Sequence, residues 1–475
     1  MPSPAPLART VDRLRPLATS RAGLIVLAAL ALALVVAHLP PPIGAAPRAM
    51  TALGLTAFVV TLWATIAVPQ PYAAAAFLAL VLATGAAAPD RALAGFTTSS
   101  LWLVFGGLLI GTAAERSGLG RIVARRFLGG FTGSWPGLVA GVLVGTTLLS
   151  FLVPANMGRL AITIPVVMAL CRDAGYAEGS PGWNGLMLTA VVGNFTVALA
   201  ILPANLLNVM IVGSGEALYG VSFAYVTYLW LCGPVLGLVK GLVVWAAVVA
   251  MFRAPAPGRP AAEEAVRLGS DAMRVGLILT TAIAFWATDV WHGIRPGWVA
   301  LAAGLVCLVP GVGTLPLKEG LDPKKLLIMV WVGTVLSLGA ILGDSGAAAL
   351  VSKALAGVSG VSGQSPTYAY FALAVMTSVL AAVGTVGGAI PIVTAAIGDI
   401  SALTGLPVPT AVLSVVAGAS ALFFPFVAAP VVVGLAMGRV AVRPATRFMV
   451  VVALMTLVVV LPLNAAWWWV TGVLK

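Results

Sequence analysis

The chain has 475 residues, 61% of them hydrophobic and 8% charged, with 26 Lys and Arg against 14 Asp and Glu. A soluble domain carries roughly 25% charged residues, so this composition excludes a water-soluble globular fold. The net charge of +12 is read as basic loops on the cytoplasmic side of a membrane. Aromatic and basic residues are not interleaved, so no nucleic-acid partner is expected.

Residues 1–21 are comparatively polar, with Arg9, Arg13, Arg15 and Arg21, and precede an apolar run at 22–39. That run reads as a first helix with its N-terminus in the cytoplasm. A cleavable signal is the alternative, but no clear small-residue cleavage site separates the run from the next span. Spans follow at 49–68, 71–88 and 98–118. The stretch "ERSGLGRIVARRFL", with Arg116, Arg121, Arg125 and Arg126, reads as a helix lying on the inner leaflet. Segment 134–171 is apolar on both sides of "LVPANMGR". Pro154 and Gly158 divide it into two half-length helices, a re-entrant hairpin. Spans at 183–213, interrupted at "ILPANLLN", and 222–252 complete the first part.

A polar linker at 253–273 contains Pro255, Pro257, Pro260, Glu263 and Glu264. Spans at 274–291, 295–312 and 326–342 follow, then the amphipathic "GDSGAAALVSKAL". A second hairpin, 367–398, breaks near "GTVGG", and a span at 406–438 breaks near "FPFVAAP". The basic "GRVAVRPATR" precedes a last span at 446–472.

Runs of about 18–25 apolar residues cross about 30 Å of hydrocarbon. Backbone amides in lipid are satisfied only within helices or closed barrels, and these runs do not alternate as barrel strands do. The predicted fold is an all-α integral membrane protein of about eleven transmembrane helices, with two re-entrant hairpins in two inverted repeats. Its units are 1–48 (tail and first helix), 49–252 (first repeat), 253–273 (cytoplasmic linker) and 274–475 (second repeat). On this topology the basic stretches 115–126, 253–274, 318–325 and 439–447 face inside. The loops near 40–48, 89–97 and 343–353 hold few charges and face outside. Trp467, Trp468 and Trp469 fall at the outer interface.

A half-helix N-terminus offers N–H donors and about half a positive charge to an anion. Asn156, Asn205 and Asn208 stand at the two Pro-Ala-Asn interruptions, where they bind solute or join helices. Arg159 lies deep in the first hairpin, where a guanidinium is costly unless paired or hydrated. Its planar fork suits carboxylate or sulfate; snorkelling or internal pairing is the alternative. On the first reading, Arg159→Ala abolishes transport with folding intact. Lys240 reads as snorkelling or helix pairing, with a coupling role as the alternative, and Asp289 and Asp344 read as solvated span ends. Cys171, Cys232 and Cys307 are far apart and read as packing residues. His38 and His292 lie near span ends, and no metal-ligand spacing is present. No paired aspartates or Ser/His pair stand at membrane depth, so neither an enzyme nor a cofactor is expected.

On these segments the chain resembles the divalent anion/sodium symporters, carriers of dicarboxylates, citrate or sulfate within the wider ion-transporter superfamily. "WLVFGGLLIGTAAERSGLGRIVARRFL" resembles the family's fourth span and surface helix, and "VWVGTVLSLGAILGDSGAAALVSKAL" its counterpart in the second half. The family's hairpin tips carry Ser-Asn-Thr, with nine residues from that Asn to a Pro. Asn156 stands nine residues before Pro165, so Ala155-Asn156-Met157 occupies the motif. Pro154 to Arg159 resembles the P-S-N-T-A-R of some dicarboxylate members, and Pro203-Ala204-Asn205 the family's Pro-Pro-Asn break. In the second half Ala381-Ala382-Val383 and Val431 replace the motif residues, and Thr385 is kept.

The resemblance implies an elevator-type secondary transporter of a small divalent anion, homodimeric, in the inner (plasma) membrane. It implies substrate contacts at Asn156, Arg159, Asn205, Gly384 and Thr385, and cation contacts at Ala155, Asn156, Met157 and Asn205. Na+ or H+ is the implied coupling ion. The lost Ser, Thr and Asn oxygens predict proton coupling, exchange, or dependence on at most one sodium. Rival readings are a cation/proton antiporter of the same superfamily and a membrane subunit of a binding-protein-dependent permease.

Overall fold

A computed structural model describes residues 20–120, 122, 133–257 and 269–475. The described residues are helical, with no strand among them. The first part contains α1 (Arg21–His38), α2 (Pro47–Thr65), α3 (Gln70–Thr84) and α4 (Ser99–Arg116). The first hairpin follows as α5 (Trp135–Leu152) and α6 (Asn156–Asp173). Then come α7 (Pro181–Ala200), α8 (Leu206–Tyr219) and α9 (Tyr225–Met251).

The second part begins with α10 (Ser270–Ala287), α11 (Pro296–Val306), α12 (Pro323–Ser345) and the amphipathic α13 (Ala347–Ser359). The second hairpin is α14 (Pro366–Val383) and α15 (Val386–Thr404); α16 (Val408–Ala419), α17 (Ala429–Met437) and α18 (Val442–Val470) close the chain. Among the described residues, nine helices are long and apolar enough to cross a membrane, and shorter apolar helices accompany them. The helical membrane fold expected from the sequence is the fold observed, and both hairpins break where expected, at 153–155 and 384–385. The tail 1–19, most of the inner-leaflet stretch after Gly120, and linker residues 258–268 lie outside the described residues.

Local chemistry sets the element ends. Ser134 and Ser365 cap the first arm of each hairpin through their side chains, and Pro follows within two positions in each case. Pro165 and Pro391 lie inside the second arms, which membrane helices tolerate where neighbours re-satisfy the freed carbonyls. Among the described residues, three helices contain π-helical turns, at Thr189–Gly193, Gly233–Val239 and Thr456–Val460. Such turns tend to mark functional positions.

α1 packs on α2 and presents Leu24, Leu34 and Val35 outward, as a lipid-facing helix does. α4 and α11 meet through glycines. The two parts interlock reciprocally: α8 packs against the second arm of the second hairpin, and α17 against the second arm of the first. Two end residues differ from the expectation. Trp468 is fully buried with its indole N–H on the Leu231 carbonyl at 2.9 Å, while Trp469 is exposed. Asp289 is buried, accepting the Tyr225 amide, because α9 starts directly above it. Asp344 is half-buried and accepts the Ala88 amide at 3.0 Å.

Candidate functional site

Pro154 ends α5. It pushes Val153 into extended backbone, φ −121° and ψ 99°, as residues before proline are, and it has no amide to continue the ladder. α6 restarts at Asn156 with Ala155 in the capping position, so no side chain caps it. The first-turn amides of Asn156, Met157 and Gly158 have no acceptor among the described residues. Four groups at a helix N-terminus lack intrahelical partners, and the helix dipole favours an anion there. The tip rests on α4, where a Cβ at Gly107 or Gly111 would stand 3.3 Å from Pro154 or 3.1 Å from Ala155.

Arg159 lies one turn into α6 and is 0% exposed. A guanidinium has five N–H donors, and all five are engaged. Nε donates to Asn194 Oδ1 at 2.5 Å, and Nη1 donates to the carbonyls of Val153 at 2.6 Å and Ala204 at 2.8 Å. Nη2 donates to Asn156 Oδ1 and to the Asn194 carbonyl at 3.3 Å. Every acceptor is uncharged, and among the described residues no ion pair includes Arg159. The side chain therefore ties three segments together: the hairpin tip, the π-turn end of α7, and the break before α8. No donor is left to form a bidentate pair with an incoming anion.

Asn205 lies in that break, fully buried, and its groups are also engaged. Its amide nitrogen donates to Phe195 O at 2.9 Å, and its oxygen accepts Leu207 N at 3.0 Å, capping α8. Asn208 donates to Ala198 O and Ile201 O, and its own oxygen is buried without a partner among the described residues. Asn156 and Arg159 are thus brought together directly, and Asn205 adjoins them through Ala204. Gly384 and Thr385 form the second tip. Thr385 caps α15 by accepting Gly388 N at 3.4 Å. This tip packs elsewhere, with Ala64 and Val60 of α2 and Trp331 of α12 close to its glycines.

Lys240 is fully buried and does not snorkel; it joins helices. Its ammonium donates to the Ser420 carbonyl at 3.1 Å and to Thr456 Oγ1. Ser420 ends α16 at the second break, Lys240 follows the π turn of α9, and Thr456 opens the π turn of α18.

Sequence reading did not single out Asn194 or Glu216. Asn194 is an amide inside an apolar span, a signal as strong as that of Asn208. Glu216, at the end of α8, accepts from the amides of Ser99 at 3.0 Å and Ser100 at 3.2 Å. It also accepts both hydroxyls, the closer contacts being 2.9 Å, and pairs with Arg295 at 2.8 Å. A carboxylate here satisfies the orphan donors that begin α4. Glu216→Ala is expected to destabilise the protein by about 1–3 kcal/mol, since it leaves buried donors unpaired. Arg295→Ala should cost less, because that side chain is 51% exposed. Melting temperatures of the two purified variants check this ranking, and equal losses would refute it.

The chain is 26% identical over 341 residues to a "Membrane protein" of Cupriavidus necator, covering 66% of either chain. It is 28% identical over 141 residues to the chloroplastic "Dicarboxylate transporter 2.2" of Arabidopsis thaliana, covering 28% of this chain and 26% of that protein. The matched regions thus span just under two thirds and about a quarter of these relatives' lengths. In fold the chain is similar to the YdaH transporter of Alcanivorax borkumensis, with a TM-score of 0.54, 14% identity, and coverage of 96% of this chain and 98% of that one. Residues 21–474 match the model of the sodium:sulfate symporter transmembrane region, and the chain belongs to that family of multi-pass membrane transporters.

Proposed function

We propose that the chain is a secondary transporter of a small divalent anion, a dicarboxylate or sulfate. The observation that carries this reading is the uncapped N-terminus of α6 at the first hairpin tip. Its free amides aim positive partial charge at membrane depth without a fixed anion to neutralise it. The Asn156 amide nitrogen also has no acceptor among the described residues. The name of the Arabidopsis relative favours a dicarboxylate, and the family's name favours sulfate.

The reciprocal packing of α8 on α15 and α17 on α6 supports two inverted repeats, 49–252 and 274–475. In that arrangement the hairpins and broken helices move as a body against the remaining helices, as an elevator does, in a homodimer. The N-terminus then lies in the cytoplasm and the chain in the inner membrane. No chemical step on the solute is involved, so the protein is a carrier and not an enzyme.

The test is uptake into liposomes containing only this purified chain, with labelled succinate, citrate, sulfate and aspartate. At least one divalent anion should enter and be competed by excess unlabelled anion. Proton-driven cation flux with no anion uptake would support the antiporter reading instead. Uptake that appears only with an added partner subunit would support the permease reading.

A further inference from the structure

We propose that Arg159 and Lys240 are tethered cations that fill the carbonyl ends at the two helix breaks, and that the carrier consequently exchanges anions without sodium. The inference rests on the anion-carrier reading above and concerns how that carrier balances charge.

In transporters built on broken helices, the unwound carbonyls and half-helix C-termini hold the coupling cation. Here those oxygens already face a cation of the chain's own. At the first break, Val153 O at the end of α5 and Ala204 O before α8 both accept from Arg159, with the amide oxygens of Asn156 and Asn194. At the second, Ser420 O at the end of α16 accepts from Lys240. Val153 O and Ser420 O lie at the negative ends of helix dipoles, where a cation is stabilised. A sodium ion needs several of the same oxygens, and it would meet a guanidinium in contact with them. The residues at the first break therefore do not fit sodium, whatever the family's name suggests.

Three details argue for purpose-built positions. Lys240 and Thr456 both stand at π turns, and Asn194 immediately follows another. Each π turn shifts the side chains that follow it around the helix. Neither cation has a carboxylate partner among the described residues. Arg159 reaches Asn194 and Ala204 across 35 and 45 positions, and Lys240 reaches Ser420 and Thr456 across 180 and 216, so each cation also clamps its break.

The charge balance follows. Two positive charges, one at each break, equal in number the charges of one dianion, so they cancel in the loaded carrier. The empty carrier keeps both charges unbalanced, and moving unbalanced charge across a membrane potential is opposed. The empty carrier should return slowly, and a second anion should be needed for the return.

Melting of the purified full chain tests the cations without any substrate. Wild-type curves in sodium chloride and in choline chloride at equal ionic strength should superimpose. Arg159→Ala and Lys240→Ala should melt several degrees lower. Millimolar guanidinium chloride should raise the first and methylammonium chloride the second, because the freed oxygens accept a small cation. Lys240→Met, which keeps an unbranched side chain without the charge, should behave as Lys240→Ala does. If Arg159→Ala does not fold, the wild-type comparison and the Lys240 variants still decide. A sodium-dependent rise in the wild-type melting temperature overturns the inference. Variants that melt as wild type, or that melt lower and respond to no small cation, also overturn it.

In liposomes, labelled succinate should enter succinate-loaded vesicles more than about tenfold faster than empty ones, given the opposed return of an empty charged site. Replacing sodium by choline should change nothing. Equal entry into empty vesicles, or steep sodium dependence, overturns the exchange. If none of the four anions enters under any condition, the carrier reading fails, and the melting comparison still settles the tethered cations.

Discussion

Arg159→Ala is expected both to unseat the first hairpin and to abolish transport. The substitution strips donors from five oxygens in a fully buried site. Each buried polar group left unpaired costs about 1–3 kcal/mol. Water entry and local relaxation recover part of this, which leaves a loss on the order of 3–5 kcal/mol. The sequence alone suggested an Arg that grips the solute, whose removal would spare folding. The geometry changes that expectation, because the same side chain holds the tip, the end of α7 and the break before α8. Arg159→Lys should regain part of the stability and little of the transport. An ammonium has three donors, and as a point charge it cannot reach acceptors spread around a planar fork. Membrane yield, melting temperature and counterflow, measured on both variants, check this. A variant with wild-type stability and no transport would return Arg159 to the role of a solute ligand.

The second large effect is expected at Gly106. A Cβ built there would stand 2.2 Å from both the carbonyl carbon and oxygen of Ala300, closer than real Cβ atoms approach. Gly304 opposes it across the interface, where an added Cβ would lie 2.9 Å from Gly106 Cα, and Gly297 faces the Ser99 carbonyl at 1.9 Å. These glycines let α4 and α11 touch backbone to backbone, as small residues do between membrane helices. The obstruction is main chain, so no side chain can rotate away. Gly106→Ala should cost at least the about 1–3 kcal/mol typical of overpacking, and Gly106→Leu should prevent assembly. Gly343→Ala serves as the control, since nothing lies within 4 Å of an added Cβ there, and alanine is favoured over glycine inside a helix by about 0.5–1 kcal/mol. Monodisperse protein from Gly106→Leu on size exclusion would show that the two helices can separate freely.

The features legible in the sequence were those set by local pattern. Apolar run length determined the helical membrane class, because lipid leaves the backbone few ways to satisfy its amides. Pro154, Pro203 and Pro425 stood at the breaks, where a proline followed by Ala or Phe interrupts an apolar run and has no amide for the ladder. Arg159 was conspicuous because a charge inside an apolar hairpin demands an explanation. Its partners were not legible. Val153 and Ala204 contribute main-chain oxygens, which any residue has, and Asn194 is 35 positions away. Lys240 meets Ser420 and Thr456 across 180 and 216 positions, and Glu216 meets Ser99 across 117. Gly106 was one of 53 glycines, and only the opposing backbone singles it out. Sequence determined which groups in this chain must find partners in a medium that offers none. Tertiary structure decided which partners they found, because contacts between distant helices leave no period or spacing in the chain.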